Sequence, residues 1–246
     1  MENKINKSLT LKRLWYLSIK NLKTMLRDRN QLVWLIGYPI LFMVLYKVAL
    51  GVDVYDFMAP ALIIIGPTVI ISQLAAHFAE EKELGTLQRL ITTPASRSII
   101  LLSGLFSQLI VAAVQIIILI LASLLLGAKF DPNVNIILLF FIPFLLAFTS
   151  LGFGLLLASF VKTAGSAGGL AWFIILPLQF LGGIFAHPPI IEFLPTTLAV
   201  EALRSVMTNG IATFDAIGLN LIFVGVWGVI AIIIGILLFQ RKTAIL

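Results

Sequence analysis

The segment FMAPALIIIGPTVIISQLAAHFA, residues 57–79, is a run of 23 residues without Asp, Glu, Lys or Arg. The charged stretch EEKELGTLQRLITTPASR, residues 80–97, follows it, and residues 98–128 are again free of charge. A helix rises about 1.5 Å per residue, so each apolar flank is long enough to cross a hydrocarbon core of about 30 Å. The pattern therefore predicts two membrane-spanning helices joined by a charged loop at the membrane surface.

The whole chain has the composition of a membrane protein. Hydrophobic residues make up 60% and charged residues 11% of its 246 residues, whereas soluble domains average roughly 45–50% apolar and 25% charged. Backbone groups in lipid must be satisfied within helices or closed barrels, and the alternating pattern of a barrel is absent. The predicted fold class is all-α: a polytopic membrane protein with six transmembrane helices, at about 31–50, 57–79, 98–127, 136–160, 166–186 and 216–240.

The distribution of basic residues predicts the orientation. With both termini assigned to the cytoplasm, fourteen Lys and Arg residues lie inside and three lie outside, which is a strong positive-inside bias. The net charge of +6 then belongs to the cytoplasmic face, where anionic lipid is the expected partner and nucleic acid is not. We expect a multi-pass protein of the plasma membrane. The three outer basic residues are Lys47, Lys129 and Arg204.

Two segments differ from the spans. Residues 1–30 form the first expected domain, a cytoplasmic amphipathic helix in the membrane interface, which is either a lipid anchor or a lever beside a soluble partner. Residues 31–246 form the second, a six-helix transmembrane domain. Residues 187–204 follow the helix-breaking Pro177, Gly182 and Gly183, contain Pro195, and include a stretch too short to cross the membrane. A re-entrant or interfacial hairpin on the outer side is expected there, between spans five and six.

Motifs for catalysis are absent from the sequence. It has no phosphate-binding loop of the G-x-x-x-x-G-K-[ST] type, no nucleophile elbow, no cysteine and only two histidines, His77 and His187. We therefore expect no enzyme activity, no metal and no cofactor in this chain. The centres of the predicted spans carry no ionisable residue of the kind that a proton- or sodium-driven carrier uses. A secondary transporter or channel, and less favourably an intramembrane enzyme, remain as alternatives.

The charged loop is the candidate functional segment. Leu84, Leu87, Leu90 and Ile91 form an apolar stripe, three acidic residues precede it, and a proline follows it. The pattern predicts a short surface helix at about 80–94, with the acidic residues at its start. The alternative is a solvated loop that packs on its own bundle. The candidate residues are Glu80, Glu81, Glu83, Gly85, Thr86, Leu87, Leu90 and Pro94.

Two motifs carry a resemblance to a known family. The run from Glu81 to Gln88, EKELGTLQ, with Leu90-Ile91 and Thr93-Pro94 after it, resembles the E-R-E-x-G-T-L-E…L-L…P signature of the membrane permeases of type-two ABC exporters. A later segment, from Leu176-Pro177 through Gly182-Gly183 to Leu203-Arg204, is similar to a second signature of the same family. This family exports drugs, antibiotics or polysaccharides.

The resemblance implies a role for each segment. In the family, the first loop carries a coupling helix that docks on a separate ATPase subunit, and the segment after the fifth span forms re-entrant outer helices. The implied partners are two copies of an ABC ATP-binding subunit, which carry the ATP and Mg, and a second permease subunit, identical or homologous. Coupling is then expected at about 80–94 and the outer segment at about 187–204. The sequence leaves the cargo open.

Overall fold

The computed structural model describes residues 2–85, 97–185, 188–209 and 214–243. All regular structure in these ranges is helical, which confirms the all-α prediction. The elements in chain order are α1 (Glu2–Arg27), α2 (Arg29–Leu32), a π-helix (Val33–Gly37), α3 (Tyr38–Glu83), α4 (Arg97–Leu125), α5 (Ile136–Phe160), α6 (Ala164–Leu181), α7 (Pro195–Asn209) and α8 (Phe214–Thr243).

Five helical stretches in the described ranges are long and apolar enough to cross a membrane, where the sequence predicted six. They are Val54–Glu83, Ile99–Leu125, Ile136–Phe160, Ala164–Leu181 and Ile217–Arg241. The first predicted span corresponds to the shorter apolar helix Val33–Ala49. Its seventeen residues rise only about 25 Å at 1.5 Å per residue.

Gly51 explains why this first helix is short. It has φ 79° and ψ 177°, and it is the one residue with non-helical backbone angles inside α3. A residue with a side chain rarely adopts such a φ, whereas glycine does so at little cost. Gly51 thus divides α3 into a first arm, which ends near Ala49, and a second arm, Val54–Glu83. The second arm keeps helical backbone angles through Pro67.

The second arm of α3 is the centre of the bundle. Residues 58–79 of this arm are almost all buried, and α3 packs against α4, α5, α6 and α7. Glycines allow close contact at two points of this arm: Gly66 lies beside Leu119 of α4, and Gly154 of α5 lies beside Ile71. Lipid cannot drive helix association as water does, so close approach at small residues is what holds such a bundle together.

Contacts between elements define two ends of the bundle. At one end, the chain neighbours of Glu81 on α3 contact the junction between α5 and α6: Lys82 Nζ donates to Ala158 O, and Ala164 N donates to Glu83 Oε2. At the other, Lys47 lies near Gly127, and Asp131 N donates to Met207 O at 2.9 Å. We refer to these as the Glu81 end and the Gly127 end.

The N-terminal helix α1 packs against α4. Ser18 Oγ donates to Leu14 O at 2.8 Å and lies 3.4 Å from Ser103 O of α4. About two α-helical turns further on, Met25 is buried in a cluster with Leu35 and Val111. The helix runs from Glu2 to Arg27, and its protein-facing side includes the buried polar residues Ser18 and Asn21.

Candidate functional site

The C-terminus of α3 is the described part of the predicted coupling segment. The helix ends at Glu83, and Leu84 N donates to Glu80 O at 2.9 Å. Gly85 has φ +66° and its N donates to Lys82 O at 3.1 Å, which is the left-handed glycine that commonly terminates a helix. Thr86, Leu87, Leu90 and Pro94 lie outside the described residues.

This arrangement corrects one expectation from the sequence. Glu80, Glu81 and Glu83 form the last turn of the long α3 and do not open a separate surface helix. The reason is physical: no glycine or proline separates residue 79 from residue 83, so the span continues as a helix until Gly85 ends it. A carboxylate near a helix C-terminus is repelled by the negative end of the helix dipole. These side chains are therefore stabilised only by other partners.

Two of the three carboxylates have such partners on neighbouring elements. Glu81 is buried and its Oε1 accepts from Lys20 Nζ of α1 at 3.1 Å. Glu83 Oε2 accepts from Ala164 N, the first residue of α6, at 3.0 Å. An acidic side chain at the start of a helix stabilises it by accepting from its free N–H groups.

Lys82 completes the connection between α3 and its neighbours. Its ammonium donates to Ala158 O at the end of α5, lies 3.5 Å from Val161 O, and sits 4.7 Å from the centre of the Phe239 ring on α8. A cation over an aromatic face is attracted to the ring quadrupole. The last turn of α3 is therefore tied to α1, α5, α6 and α8 at once.

A groove opens beside this turn. It has a volume of about 560 Å³ and lies between α1, α2, the π-helix, α3 and α6. Its lining combines three carboxylate or imidazole side chains, two tryptophans and several neutral polar groups: Thr24, Met25, Asp28, Gln31, Trp34, Val69, Ser72, Gln73, Ala76, His77, Glu80, Ala164 and Trp172.

Two side chains that line this groove carry buried polar atoms with no hydrogen-bond partner among the residues that the structure describes. Gln73 is 5% exposed, and neither its Oε1 nor its Nε2 is bonded. His77, one turn further along α3, is 8% exposed and its Nε2 is not bonded. Buried polar groups are nearly always satisfied by protein, water or ligand. Their four-residue spacing within an apolar run was visible in the sequence, but it was not used there.

Next to Trp172 of the groove, a chain of hydrogen bonds links both arms of α3 to α6. Tyr38 Oη donates to Gln179 Oε1 at 2.9 Å, Gln179 Nε2 donates to Thr68 Oγ1 at 2.8 Å, and Thr68 Oγ1 donates to Ile65 O at 2.7 Å. The Tyr38 ring also meets Trp172 edge to face, with centroids 5.2 Å apart. The sequence analysis did not find this chain, because its members are 30 to 141 positions apart.

The π-helix is held by a second buried amide. Gln115 of α4 donates from Nε2 to Leu35 O at 2.7 Å. Gly66 makes room for this contact, since a Cβ there would lie 3.0 Å from Gln115 Nε2. π-helical turns are rare and frequently occur at functional sites.

The candidate residues of the outer segment come together at the Gly127 end of α6. Pro177 lies within α6, and Gly182 and Gly183 follow its last residue, with φ +74° at Gly183. Pro195 begins α7, where its missing N–H costs nothing. Arg204 lies on α7 with its guanidinium 4.2 Å from the centre of the Phe57 ring. His187 lies outside the described residues.

Residues 188–195 are hydrogen-bonded to two neighbouring helices, α6 and α8. Ile190 N and Ile191 N donate to Leu181 O at 2.9 and 3.1 Å. Trp227 Nε1, well inside α8, donates to Phe193 O at 3.2 Å. Thr196 Oγ1 on α7 then donates to Leu178 O of α6 at 2.7 Å.

In the ranges that the structure covers, no three His, Asp or Glu side chains lie close enough to hold a metal ion. A helical bundle with several membrane-length spans defines a multi-pass membrane protein.

Comparison with known proteins gives the family. The family model described as "ABC-2 type transporter" matches residues 12–208. The chain is also 28% identical over 203 residues to "ABC transporter G family member 20" of Dictyostelium discoideum, and the match covers 76% of this chain and 27% of that protein. The chain belongs to the ABC-2 type transporter family, as the motifs indicated.

Membership in this family identifies residues 12–208 as an ABC-2 type membrane domain. The chain spans about a quarter of the length of the curated relative that it matches.

Proposed function

We propose that this chain is the transmembrane subunit of an ABC exporter. Two such subunits, identical or homologous, form the export pathway in the plasma membrane, and two separate ABC ATP-binding subunits supply energy from ATP bound with Mg²⁺. Each subunit crosses the membrane six times, with Val33–Ala49 as the first crossing, and both termini and the Glu81 end are cytoplasmic. The fourteen-to-three division of basic residues supports this orientation.

The observation that carries the proposal is the set of contacts at the last turn of α3. This turn leads directly into residues 86–94, and its side chains bond to α1 through Lys20, to α6 through Ala164 and to α5 through Ala158. A force applied to residues 86–94 would therefore be transmitted through α3 to three neighbouring helices, α1, α5 and α6. An ATPase shifts a permease between two states only when it binds those states unequally, and such a connected surface allows it to do so.

The proposed coupling residues are those predicted from the sequence. Glu80 is exposed and Leu84 is 65% exposed, so both are available to a partner. Glu81 and Glu83 hold α1 and α6 in place. Thr86, Leu87, Leu90 and Pro94 supply the contact with the ATPase in this proposal, and Gly85 sets the angle at which they leave α3.

We further propose that residues 187–204 form the re-entrant hairpin of the outer side. The bond from Trp227 to Phe193 supports it, because Trp227 lies 13 positions into α8, which corresponds to about 20 Å of helix. A chain that only capped the outer surface would not reach this depth. Bonds to Leu178 and Leu181 close the hairpin onto α6.

The double variant Gly85→Trp with Leu87→Asp tests the coupling. A charge in an apolar contact costs on the order of 1–3 kcal/mol, so the affinity for the ATPase is expected to fall about five- to hundredfold. Permease abundance, co-purification of the ATPase and vanadate-sensitive efflux are measured in the same cells.

A matched control places the same residue types at the other end of the bundle. Pro132 and Asn133 are exposed in the loop between α4 and α5, so Pro132→Trp with Asn133→Asp should leave ATPase co-purification normal. The coupling proposal is refuted if the Gly85/Leu87 variant is present at normal abundance with unchanged co-purification and efflux.

A further inference from the structure

Two consecutive residues at the end of α3, Lys82 and Glu83, carry opposite charges and contact the ends of two consecutive helices. The ammonium of Lys82 donates to Ala158 O, in the last turn of α5. Oε2 of Glu83 accepts from Ala164 N, the first residue of α6, at 3.0 Å. Residues 161–163 are all that separates α5 from α6, so the pair holds this short connection, the α5–α6 junction, at both ends.

The sign of each charge matches the helix end that it contacts. The last carbonyls of a helix carry partial negative charge, and its first N–H groups carry partial positive charge. The ammonium of Lys82 lies at the carbonyl end of α5, where Val161 O is a second acceptor at 3.5 Å. The carboxylate of Glu83 lies at the N–H end of α6. If the two charges changed places, both contacts would become repulsive.

Apolar contacts hold the junction against the same helix. Val161 is 5% exposed and packs with Ala75 and Ala79 of α3 and with Ala167 of α6. The small alanine side chains let the junction lie close to α3. The junction therefore contacts α3 from Ala75 to Glu83, which is about two helical turns.

A displacement of α5 would also displace α8, because these two helices are in close contact. A Cβ at Gly152 of α5 would lie 2.6 Å from the Cβ of Ala231 on α8. Thr149 Oγ1 of α5 donates to Val224 O of α8 at 2.9 Å. Closely packed interfaces of this kind transmit strain instead of deforming continuously. The contacts of the charged pair therefore lead from the end of α3 to three helices, α5, α6 and α8.

We propose that Lys82 and Glu83 are positioning residues for coupling: they form a clamp that makes the α5–α6 junction follow the end of α3 when the ATPase acts on the coupling segment. The proposal rests on the proposed function and deepens it, because it names the two side chains that pass a displacement on to the rest of the bundle. Lys82 is not among the coupling residues expected from the sequence. Its contacts are the better protected from solvent, because Lys82 is half-buried and Glu83 is exposed.

The first test needs no ATPase. Lys82→Glu with Glu83→Lys exchanges the two charges, so the composition and net charge of the chain stay the same while both contacts become repulsive. Hydrogen exchange is measured by mass spectrometry on the purified full-length chain in detergent. We expect the amides of residues 161–167 to exchange about tenfold faster in this variant, the factor that the loss of one charge-assisted hydrogen bond gives. Lys82→Arg keeps the charge and the N–H donors, so its exchange should match that of the unaltered chain.

The second test follows movement in the complex with the co-purified ATPase. The chain has no cysteine, so spin labels can be attached to pairs of introduced cysteines. The pair Ala76 and Asn133 reports the end of α3, and the pair Lys162 and Asn133 reports the junction, since Asn133 lies in the exposed loop at the Gly127 end. Both distances are expected to shift when vanadate traps the ATPase. In the charge-exchange variant the Ala76 distance should still shift, whereas the shift at Lys162 should be lost; a purely structural role would alter both shifts or neither.

A shift at Lys162 that persists in the charge-exchange variant, or an unaltered chain in which Lys162 does not shift, overturns the proposal. If the charge-exchange variant fails to fold, Lys82→Gln with Glu83→Gln removes both charges without repulsion and takes its place. A shift at Ala76 without one at Lys162 removes the clamp alone. Absence of a co-purifying ATPase contradicts the proposed function, and the hydrogen-exchange comparison then decides whether the clamp exists, since equal exchange rates in the two chains refute it.

Discussion

Tyr38 shows how a single hydroxyl connects three segments of the bundle. It bonds to Gln179, which in turn bonds to Thr68, and the Tyr38 ring packs against Trp172. Side-chain hydrogen bonds between membrane helices contribute about 0.6 kcal/mol on average and up to about 1.7. We expect the hydrogen bonds of Tyr38, Gln179 and Thr68 to contribute more than this average, because Gln179 and Thr68 are fully buried.

Tyr38→Phe removes the donor to Gln179 and leaves its Oε1 buried without a partner. We expect a loss of about 1 kcal/mol in the free energy of unfolding, seen as a thermal midpoint about 2–4 °C lower in detergent. Tyr16→Phe is the matched control, since Tyr16 is 71% exposed. Equal midpoints for the two variants would show that the Tyr38 bond contributes nothing.

Two elements, α6 and α7, are joined where Gly182 meets Thr196. A side chain at Gly182 would overlap both Thr196 Oγ1 and Leu178 O. Gly182→Ala should therefore destabilise the protein by about 1–3 kcal/mol.

Gly168, inside α6, provides the comparison. A Cβ at this position meets nothing within 4 Å, so Gly168→Ala should stabilise α6 by about 0.5–1 kcal/mol. Thermal unfolding of the two Gly→Ala variants measures both effects. The same sign of change in both would contradict the close contact between α6 and α7.

A second pair of elements, α1 and α3, is joined by Lys20 and Glu81. The lysine side chain is 45% exposed and the glutamate side chain 10%, so solvent screens the pair and its coupling is expected to be about 0.5–1 kcal/mol. A double-mutant cycle with Lys20→Met and Glu81→Gln, read by thermal unfolding, measures this energy. Strictly additive single effects would mean that the two elements are not coupled here.

Those elements differ in how far the sequence predicts them. The apolar spans follow from the lengths of the charge-free intervals, and the outer glycines and prolines mark the end of α6. The end of α3 was misplaced because acidic residues suggested a helix start, while Gly85 was the stronger signal. The groove depends on residues from five elements. Gln73 and His77 could be found in the sequence, but Asp28 and Trp172 could not be placed beside them.

For the whole molecule, the two ends of the bundle should face opposite sides of the membrane. The chain contains no cysteine, so single cysteines can be introduced and labelled with an impermeant thiol reagent. A cysteine at Asn133, in an exposed loop at the Gly127 end, should react in intact cells, and one at Gln88 should react only after permeabilisation. Labelling of position 88 in intact cells would overturn the proposed orientation and the coupling role.

The winding of the π-helix Val33–Gly37 sets how the helices before it are rotated relative to the first arm of α3. A π-turn holds more residues per turn than an α-turn, and each residue of an α-helix turns the chain by about 100°. Conversion of Val33–Gly37 to α-helix would release Leu35 O from Gln115 and screw the preceding helices around the axis of the first arm by about that angle. This rotation would displace three of the side chains that now line the groove, Asp28, Gln31 and Trp34. A local change of winding would thus reshape the groove and displace α1 in one movement.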